Sequence, residues 1–226
     1  MNHVQGIKIL SEGQVGRGLL VESDAGIITH DLNRELIKED MDLKIQGSTI
    51  FINCILQKAG VLNRNGRIYP RHILERELKK YSEKIDGGNA LGQINHPDSL
   101  TIELGQTPHR LVKYWWEGDT AMGKLEIFLT KGYIQMGICS TVGDQIAELL
   151  RHKVKIGISS RGLGSVKKIR GANLVQDDFE LVCFDLVESP STPNAYLFQD
   201  TTSLNESHTT VLNSTLEHKL KNFIQL

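Results

Sequence analysis

The sequence predicts an α+β fold, built on an antiparallel sheet or a closed barrel with helices at its flank. Short runs of apolar and β-branched residues recur along the chain, which is typical of strands. Only two or three segments have the spacing of a helix, and strands and helices do not alternate as they do in a parallel sheet. The 226 residues, of which 39% are hydrophobic, are enough to bury one large core.

The first elements are an irregular arm, a strand and a helix. Residues 1–45 mix short apolar runs with a charged stretch and are interpreted as an N-terminal arm. A β-branched run from Ile50 to Leu56 predicts a strand. The segment "LNRNGRIYP" is typical of a turn, because Asn and Gly tolerate left-handed backbone angles. Pro70 then begins a predicted helix, whose apolar positions lie on one face: Ile73, Leu74, Leu78, Tyr81 and Ile85.

A hairpin and a second helix are predicted next. The segment "HRLVKYWWEGDTAMGKLEIFL" alternates around a turn from Glu117 to Thr120. Trp115 and Trp116 point to opposite faces of the first strand, so we expect one in the core and the other as a lid over another surface. In "STVGDQIAELLRHK", Thr141 and Asp144 have the spacing of a capping pair at the start of a helix.

The last part of the chain predicts two strands, a linker and a terminal helix. The strand "VKIGIS" is expected to end at Ile158 in a turn, and "FELVCFDLVE" is a second strand followed by a rigid proline-containing loop. After Phe198 the composition becomes polar, as in a linker. An amphipathic helix follows, which could pack on the chain's own core or on a partner; its apolar residues are Leu212, Leu216, Leu220 and Phe223.

Charge and cysteine content exclude several functional classes. A net charge of -1 argues against a protein that coats nucleic acid. Cys54, Cys139 and Cys183 are widely spaced and form no CxxC pair, which disfavours disulfides and a zinc site. We expect Cys54 and Cys183 to be buried, and we expect no metal or cofactor. With no secretory signal and no membrane-spanning apolar run in the sequence, a soluble protein of the reducing cytoplasm is expected.

Three segments contain candidate catalytic residues. Ser159 in "GISSRGLGS" could be a nucleophile, with an oxyanion hole formed by the backbone amides of Ser160, Arg161 and Gly162; an ordinary turn is the alternative. His96 precedes a proline that restricts its backbone, and an imidazole titrates near neutrality, as a general base requires.

Each of the other roles has a rival. His109 lies nearby in the sequence and competes with His96 as the base. Asp185 interrupts an apolar strand, where a lone carboxylate is costly unless paired, so it could orient a histidine. Glu188 is the alternative orienting residue, and a salt bridge within the sheet is the structural alternative.

The order of the motifs resembles one family of viral enzymes. Over residues 50–198 the chain contains "NRNGRIYP", "NHP", a tryptophan pair, "SSRGLGS" and "SPSTPNA" in that order. In this it resembles the prohead core proteases of T-even-type tailed bacteriophages, which are in turn similar to the herpesvirus assemblin proteases. The resemblance implies a closed antiparallel β-barrel ringed by helices and a serine endopeptidase activity. It assigns His96 as the base and Ser159 as the nucleophile, and it supports Asp185 less directly.

The resemblance also implies substrates, location and processing. Such enzymes act inside the prohead in the bacterial host, degrade the scaffolding core, trim capsid proteins and cut themselves. They cut after a glutamate that follows Leu or Ile by two positions, which predicts self-cleavage after Glu12 and Glu206. Basic residues are expected to bind that glutamate, with Arg161, Lys167, Lys168 and Arg110 as candidates.

The predicted organisation is an arm (1–45), a protease domain (46–200) and a cleavable linker with its helix (201–226). A homo-oligomer is possible, and no role with nucleic acid or membrane is expected. A catalytically silent scaffold or capsid-associated protein is the alternative to the protease.

Overall fold

Strands outnumber helices in the computed structural model, which describes residues 18–21, 45–46, 49–97 and 99–198. The mixture of many strands and few helices agrees with the α+β prediction. The predicted cleavage sites at Glu12 and Glu206 and the predicted C-terminal helix lie outside the described residues. The strands, in chain order, are β1 (Gly18–Val21), β2 (Ile45–Gln46), β3 (Thr49–Lys58), β4 (Arg67–Ile68), β5 (Leu91–Gly92), β6 (His109–Glu117), β7 (Thr120–Phe128), β8 (Gly157–Gly164), β9 (Val166–Ile169), β10 (Ala172–Val175), β11 (Glu180–Val187) and β12 (Leu197–Phe198).

The largest sheet has the strand order β12-β3-β7-β6-β5, and β2 also pairs with β3. All of its pairs are antiparallel. Along β3, burial alternates with a period of two, so one face of the sheet packs on the core. The predicted strand Ile50–Leu56 is confirmed and extends by one residue before and two after. The predicted hairpin is confirmed as well, with Glu117 paired to Thr120 across the turn.

A second sheet, β1-β8-β11, has β8 at its centre. The expected turn after Ile158 is wrong, because β8 continues to Gly164 and pairs with a strand on either side. The glycines of this segment serve close packing instead. A Cβ on Gly162 would lie 2.5 Å from Cε2 of Phe179. β1, which falls in the predicted arm, pairs with β8 from Arg161 to Gly164.

Two isolated bridges join this sheet to the large one. Ile94, just after β5, bridges Leu186 of β11 in parallel, and Tyr196, just before β12, bridges Gly157 of β8. The two strands that end the large sheet are therefore each adjacent to a strand of the second sheet. This arrangement brings the "NHP" segment, which follows β5, against β11.

The third sheet, β4-β10-β9, contains a basic hairpin. Lys167 and Lys168 are exposed on β9, and Arg170 and Gly171 form the tight turn with φ of 49° and 86°. This basic run is therefore a solvated strand and turn.

Three helices flank the strands in the described residues: α1 (Arg71–Asp86), α2 (Lys131–Met136) and α3 (Val142–Arg151). α1 follows Pro70 as predicted and buries its apolar face against the sheets. α3 begins at a capping box in which Thr141 accepts from the Asp144 amide, also as predicted. α2 was not predicted, since six residues are too few for a clear helical period. None of the helices described is both long and apolar enough to cross a bilayer.

Apolar side chains form two core clusters. The first lies between the large sheet, the β8–β11 pair and the helices, and the second lies around Leu20, Tyr69 and Phe179. Trp116 packs against both clusters, while the indole Nε1 of Trp115 donates to the exposed Glu117. Trp116 is thus partly buried at the edge of the core, and nothing in the described residues places Trp115 as a lid. The buried positions of two cysteines, Cys54 and Cys183, are also confirmed, and all three cysteines are free.

Candidate active site

Ser159 and Asp185 are directly opposite each other in the register of β8 and β11. Residues paired in this way in an antiparallel sheet project their side chains to the same face, with Cβ atoms about 5 Å apart. Both side chains are buried, with 2% and 0% of their residue surface exposed. The sheet alone therefore brings a hydroxyl and a carboxylate from distant parts of the sequence together.

His96 joins this pair from the loop after β5. The loop is held against β11 because the Asn95 amide donates to the Leu186 carbonyl at 2.7 Å. Asn95 has a left-handed φ of 59°, which turns the chain sharply before His96. The imidazole Nδ1 lies 2.9 Å from Asp185 Oδ2, and only 3% of the His96 side chain is exposed. Its other nitrogen, Nε2, is buried with no hydrogen-bond partner among the described residues.

Asp185 is surrounded by donors. The Gln93 amide donates to Oδ1 at 2.9 Å, and the Cys183 thiol lies 3.3 Å from the same oxygen. The Arg161 guanidinium contacts both oxygens, with Nε 2.9 Å from Oδ2 and Nη2 3.3 Å from Oδ1. Burial by itself would raise the pKa of Asp185, but the His96 and Gln93 hydrogen bonds and the Arg161 charge bring it below its ordinary value. The carboxylate is therefore ionised at neutral pH.

Ser160 lies on the opposite face of β8. Its pairing partner is Phe184, and its Oγ is 3.5 Å from Gln57 Nε2, at the limit of a hydrogen bond. Gln57 Oε1 in turn accepts from the Thr192 hydroxyl in the proline-containing loop. Alternation along a strand therefore separates the two adjacent serines, and only Ser159 faces the Asp185–His96 pair.

The two rival residues take other positions. His109 is fully buried, and its Nε2 lies 3.1 Å from the Phe184 carbonyl. Burial lowers the pKa of His109 to about 4, so its imidazole is neutral at pH 7. The hydrogen bond of Nε2 is to the Phe184 carbonyl and not to Asp185. Glu188 follows the end of β11, where it accepts from the hydroxyl of Ser189 at 2.6 Å. Neither contact reaches Ser159.

Gly92 allows the strands that carry the site to approach each other. A Cβ at this position would lie 1.9 Å from the Phe184 carbonyl oxygen and 2.5 Å from His109 Nε2. No side chain fits there, so β5 and β11 come close enough for Gln93 and His96 to contact Asp185. The absence of a side chain at Gly92 is therefore a steric requirement of the site.

Sequence reasoning did not anticipate several contacts of the site. Gln93 and Cys183 were not singled out, and Arg161 was expected to face the substrate rather than Asp185. The sequence gives little indication of these contacts, because polar residues near the end of a predicted strand are common on protein surfaces. They become buried neighbours of Asp185 only through the pairing of β8 with β11. Within the described ranges, no cluster of three or more His, Cys, Asp and Glu side chains could hold a metal ion.

The arrangement has the chemistry of a serine hydrolase. A buried carboxylate orients one nitrogen of an imidazole, and a serine hydroxyl lies on the same face. In such sites the hydrogen bond between base and nucleophile often forms fully only when substrate is bound. The geometry therefore brings together three groups that could serve as nucleophile, base and orienting acid.

Known proteins support the same chemistry. Residues 22–209 match the family model described as prohead core protein serine protease. The prohead core protein protease of Enterobacteria phage T4 is 33% identical over 151 residues, which cover 66% of this chain and 68% of that protein. The solved structure of the bacteriophage T4 capsid assembly protease, gp21, is similar to this structure with a TM-score of 0.60 and 29% sequence identity. The match covers 77% of this chain and 99% of that one. The chain accordingly belongs to the prohead core serine protease family.

Proposed function

We propose that Ser159, His96 and Asp185 are the catalytic residues of this protease. His96 takes the proton of Ser159 Oγ as the oxygen attacks the peptide carbonyl, and it then protonates the leaving amine. Water hydrolyses the acyl-enzyme by the same route. The observation that carries the proposal is the 2.9 Å contact between His96 Nδ1 and Asp185 Oδ2, in register with Ser159.

The oxyanion is proposed to bind backbone amides of the Ser160–Gly162 segment. The Ile158 amide donates to the Ala195 carbonyl, on the side of β8 away from β11. Because amides alternate along a strand, the Ser160 amide points to that same side. By the same alternation the Arg161 amide points towards β11, and Gly162 lies within the pairing with β1, so the register favours the Ser160 amide among the three predicted donors.

A closed barrel like that of the assemblins is proposed for the fold. Support comes from the bridges Ile94–Leu186 and Gly157–Tyr196, which place both end strands of the large sheet beside the β8–β11 pair. Joined through these bridges, β8, β11, β5, β6, β7, β3 and β12 would form a ring.

The proposed substrates are the scaffolding core and the capsid proteins inside the prohead, cut after glutamate. A basic subsite would bind that glutamate. Arg161 is a poor candidate since it contacts Asp185 and is fully buried, and Arg110 contacts Glu126 at 2.6 Å. Exposure favours Lys167 and Lys168 of the basic hairpin.

We further propose self-cleavage after Glu12 and Glu206, within an organisation of arm (1–45), protease domain (46–200) and cleavable tail (201–226). Cuts at these two glutamates would release the arm and the tail from the protease domain. Intact mass of the incubated full-length protein would identify the sites, and cuts at other positions alone would refute them.

The catalytic assignment is tested with two serine variants. Ser159→Ala is expected to abolish cleavage of a co-expressed scaffolding substrate and labelling by a fluorophosphonate. Ser160→Ala, on the opposite face of β8, is the matched control and should keep both. A Ser159→Ala protein that still cleaves would contradict the assignment, and a wild-type protein that assembles without cleaving would favour the silent scaffold.

A further inference from the structure

The Arg161 guanidinium is fully buried and contacts three separate parts of the site. It contacts Asp185 with Nε and Nη2, and Nη2 also donates to Gln93 Oε1 at 2.9 Å. Nη1 donates to the carbonyl of Ser99, three residues after His96. One side chain thus joins β8, β11 and the two ends of the segment that carries the imidazole.

These contacts leave the guanidinium directed at the protein and not at a substrate. Arg161 lies two residues after Ser159 on the same face of β8, so its side chain runs beside the nucleophile. Its Nη1 and Nη2 nonetheless donate to Ser99, Gln93 and Asp185, while Nε lies at ion-pair distance from Asp185 without a hydrogen bond. None of the Arg161 surface is exposed. The side chain of an arginine in this position can act on catalysis only through the residues it holds.

We propose that Arg161 is a positioning residue that fixes the orientation of His96 and moderates the negative charge of Asp185. This inference rests on the proposed role of His96 and Asp185 in catalysis. Its two components, orientation and charge, are separable because arginine supplies both a planar fork and a positive charge, whereas lysine supplies only the charge.

The orientation component of the proposal depends on the contacts that hold the segment around His96. Before His96, the Asn95 amide is bound to Leu186 of β11. After it, the Ser99 carbonyl is bound to Arg161. Pro97 stiffens the short connection between them. The imidazole is therefore fixed from both sides, and loss of the Ser99 contact would release one of them.

The charge component of the proposal depends on which charged groups face Asp185. A carboxylate beside an imidazole stabilises the imidazolium, which is inactive as a base. Arg161 offsets part of that negative charge. The other titratable groups around Asp185 do not change charge near neutral pH, since burial lowers the pKa of His109 to about 4 and raises the pKa of Tyr81 and of Cys183. The Arg161 guanidinium is thus the fixed positive charge that faces Asp185 beside the imidazole.

The experiment measures the histidine titration and the reaction separately. His96 is followed by the NMR signal of its C2 proton between pH 4 and 9 in wild type, Arg161→Met and Arg161→Lys. In Arg161→Met the titration midpoint should rise by about 1 pH unit, because the carboxylate is no longer neutralised. In Arg161→Lys it should stay within roughly 0.3 units of wild type, since the charge remains.

The kinetic readout is cleavage of a peptide spanning Leu204-Asn205-Glu206. Both variants should lose at least about tenfold in kcat, because a misplaced base costs that much or more. An Arg161→Lys enzyme with wild-type kcat would overturn the orientation component, and an unmoved midpoint in folded Arg161→Met would overturn the charge component.

A further variant covers the case in which Arg161→Met does not fold. Gln93→Glu keeps the contact to Nη2 and adds a negative charge beside the guanidinium, so it should also raise the midpoint; an unchanged midpoint there counts against the charge component. The titration needs no activity, so it is independent of the catalytic assignment. If Ser159→Ala remained active while the midpoints moved as expected, the catalytic proposal would fail and the charge effect would stand.

Discussion

Ser159 and Asp185 are paired across β8 and β11, and this register is what assembles the site. A slip of one residue would turn Ser159 to the opposite face and present Ser160 to His96 instead. The irregularity between Leu181 and Cys183 lies on the side of the pair away from the His96 loop, so the register at Asp185 is regular. The position of the proposed nucleophile is therefore determined by the pairing of the strands in this sheet.

Replacement of Asp185 by Asn should lower kcat by roughly 10³- to 10⁴-fold while the protein stays folded. The amide cannot match both the His96 and the Arg161 contacts, so the imidazole loses its orientation. Cleavage kinetics and a thermal melt would be measured together. Glu188→Gln is the control, since the hydrogen bond of Glu188 within the described ranges is to Ser189 and not to His96. Equal losses in both variants would contradict the role of Asp185.

The site was predictable where its chemistry is local and hidden where it depends on pairing. His96 before Pro97 and Asp185 within an apolar strand are each unusual in their own segment, so sequence alone could mark them. The stretch after Ile158 has the composition of a turn, and only its strand partners on both sides make it β8. For the same reason Arg161 was expected to face the substrate, although its partners are Asp185, Gln93 and Ser99.

For the helices and hairpins too, local patterns were predictable and long-range pairings were not. The capping box at Thr141 and the Glu117–Thr120 turn are complete within a few residues, so the sequence predicts both. The pairing of β1 with β8 joins residues more than a hundred positions apart, and no local pattern announces it. Long-range pairing also determines which of two adjacent serines faces the histidine.

Gly92→Ala should inactivate the enzyme and destabilise it. The added Cβ would lie 1.9 Å from the Phe184 carbonyl, so β5 must move away from β11 and carry Gln93 and His96 with it. We expect loss of cleavage and a melting temperature lower by several degrees, as for an overpacked core site costing about 1–3 kcal/mol. Gly105→Ala is the control, because no atom lies within 4 Å of its Cβ position. Full activity in Gly92→Ala would show that the close approach is not required.

Arg71→Ala should reduce stability without affecting the chemistry. The guanidinium carbon lies 3.5 Å from the centroid of the Trp116 ring, and the same side chain donates to the Gly118 carbonyl. Loss of this cation–π contact, together with the exposed ion pairs from Arg71 to Glu75 and Asp119, should cost about 1 kcal/mol. Urea unfolding would measure it, with Lys113→Ala as the control, since Lys113 is 6.0 Å from Trp115. Equal stability of the two variants would show that the stacking contributes little.

Asp144 should make the stability of the protein depend on pH in the acid range. Burial would raise its pKa, but hydrogen bonds from Thr130, Ser140 and Thr141 lower the pKa to about 2, from an ordinary value of 3.8. The folded state therefore binds the proton less readily than the unfolded state. The stabilising contribution is complete above about pH 4 and disappears as the pH falls towards 2, with a size on the order of 2 kcal/mol.

The measurement is urea unfolding of wild type and Asp144→Asn at several pH values from 2 to 7. The free energy of unfolding should be higher for wild type at neutral pH, and the difference should shrink below about pH 4 as the wild-type carboxylate is protonated. Asp86→Asn, at the exposed end of α1, serves as the control and should show little difference at any pH. A difference that persists unchanged at pH 2 would mean that Asp144 contributes through its shape and hydrogen bonds and not through its charge.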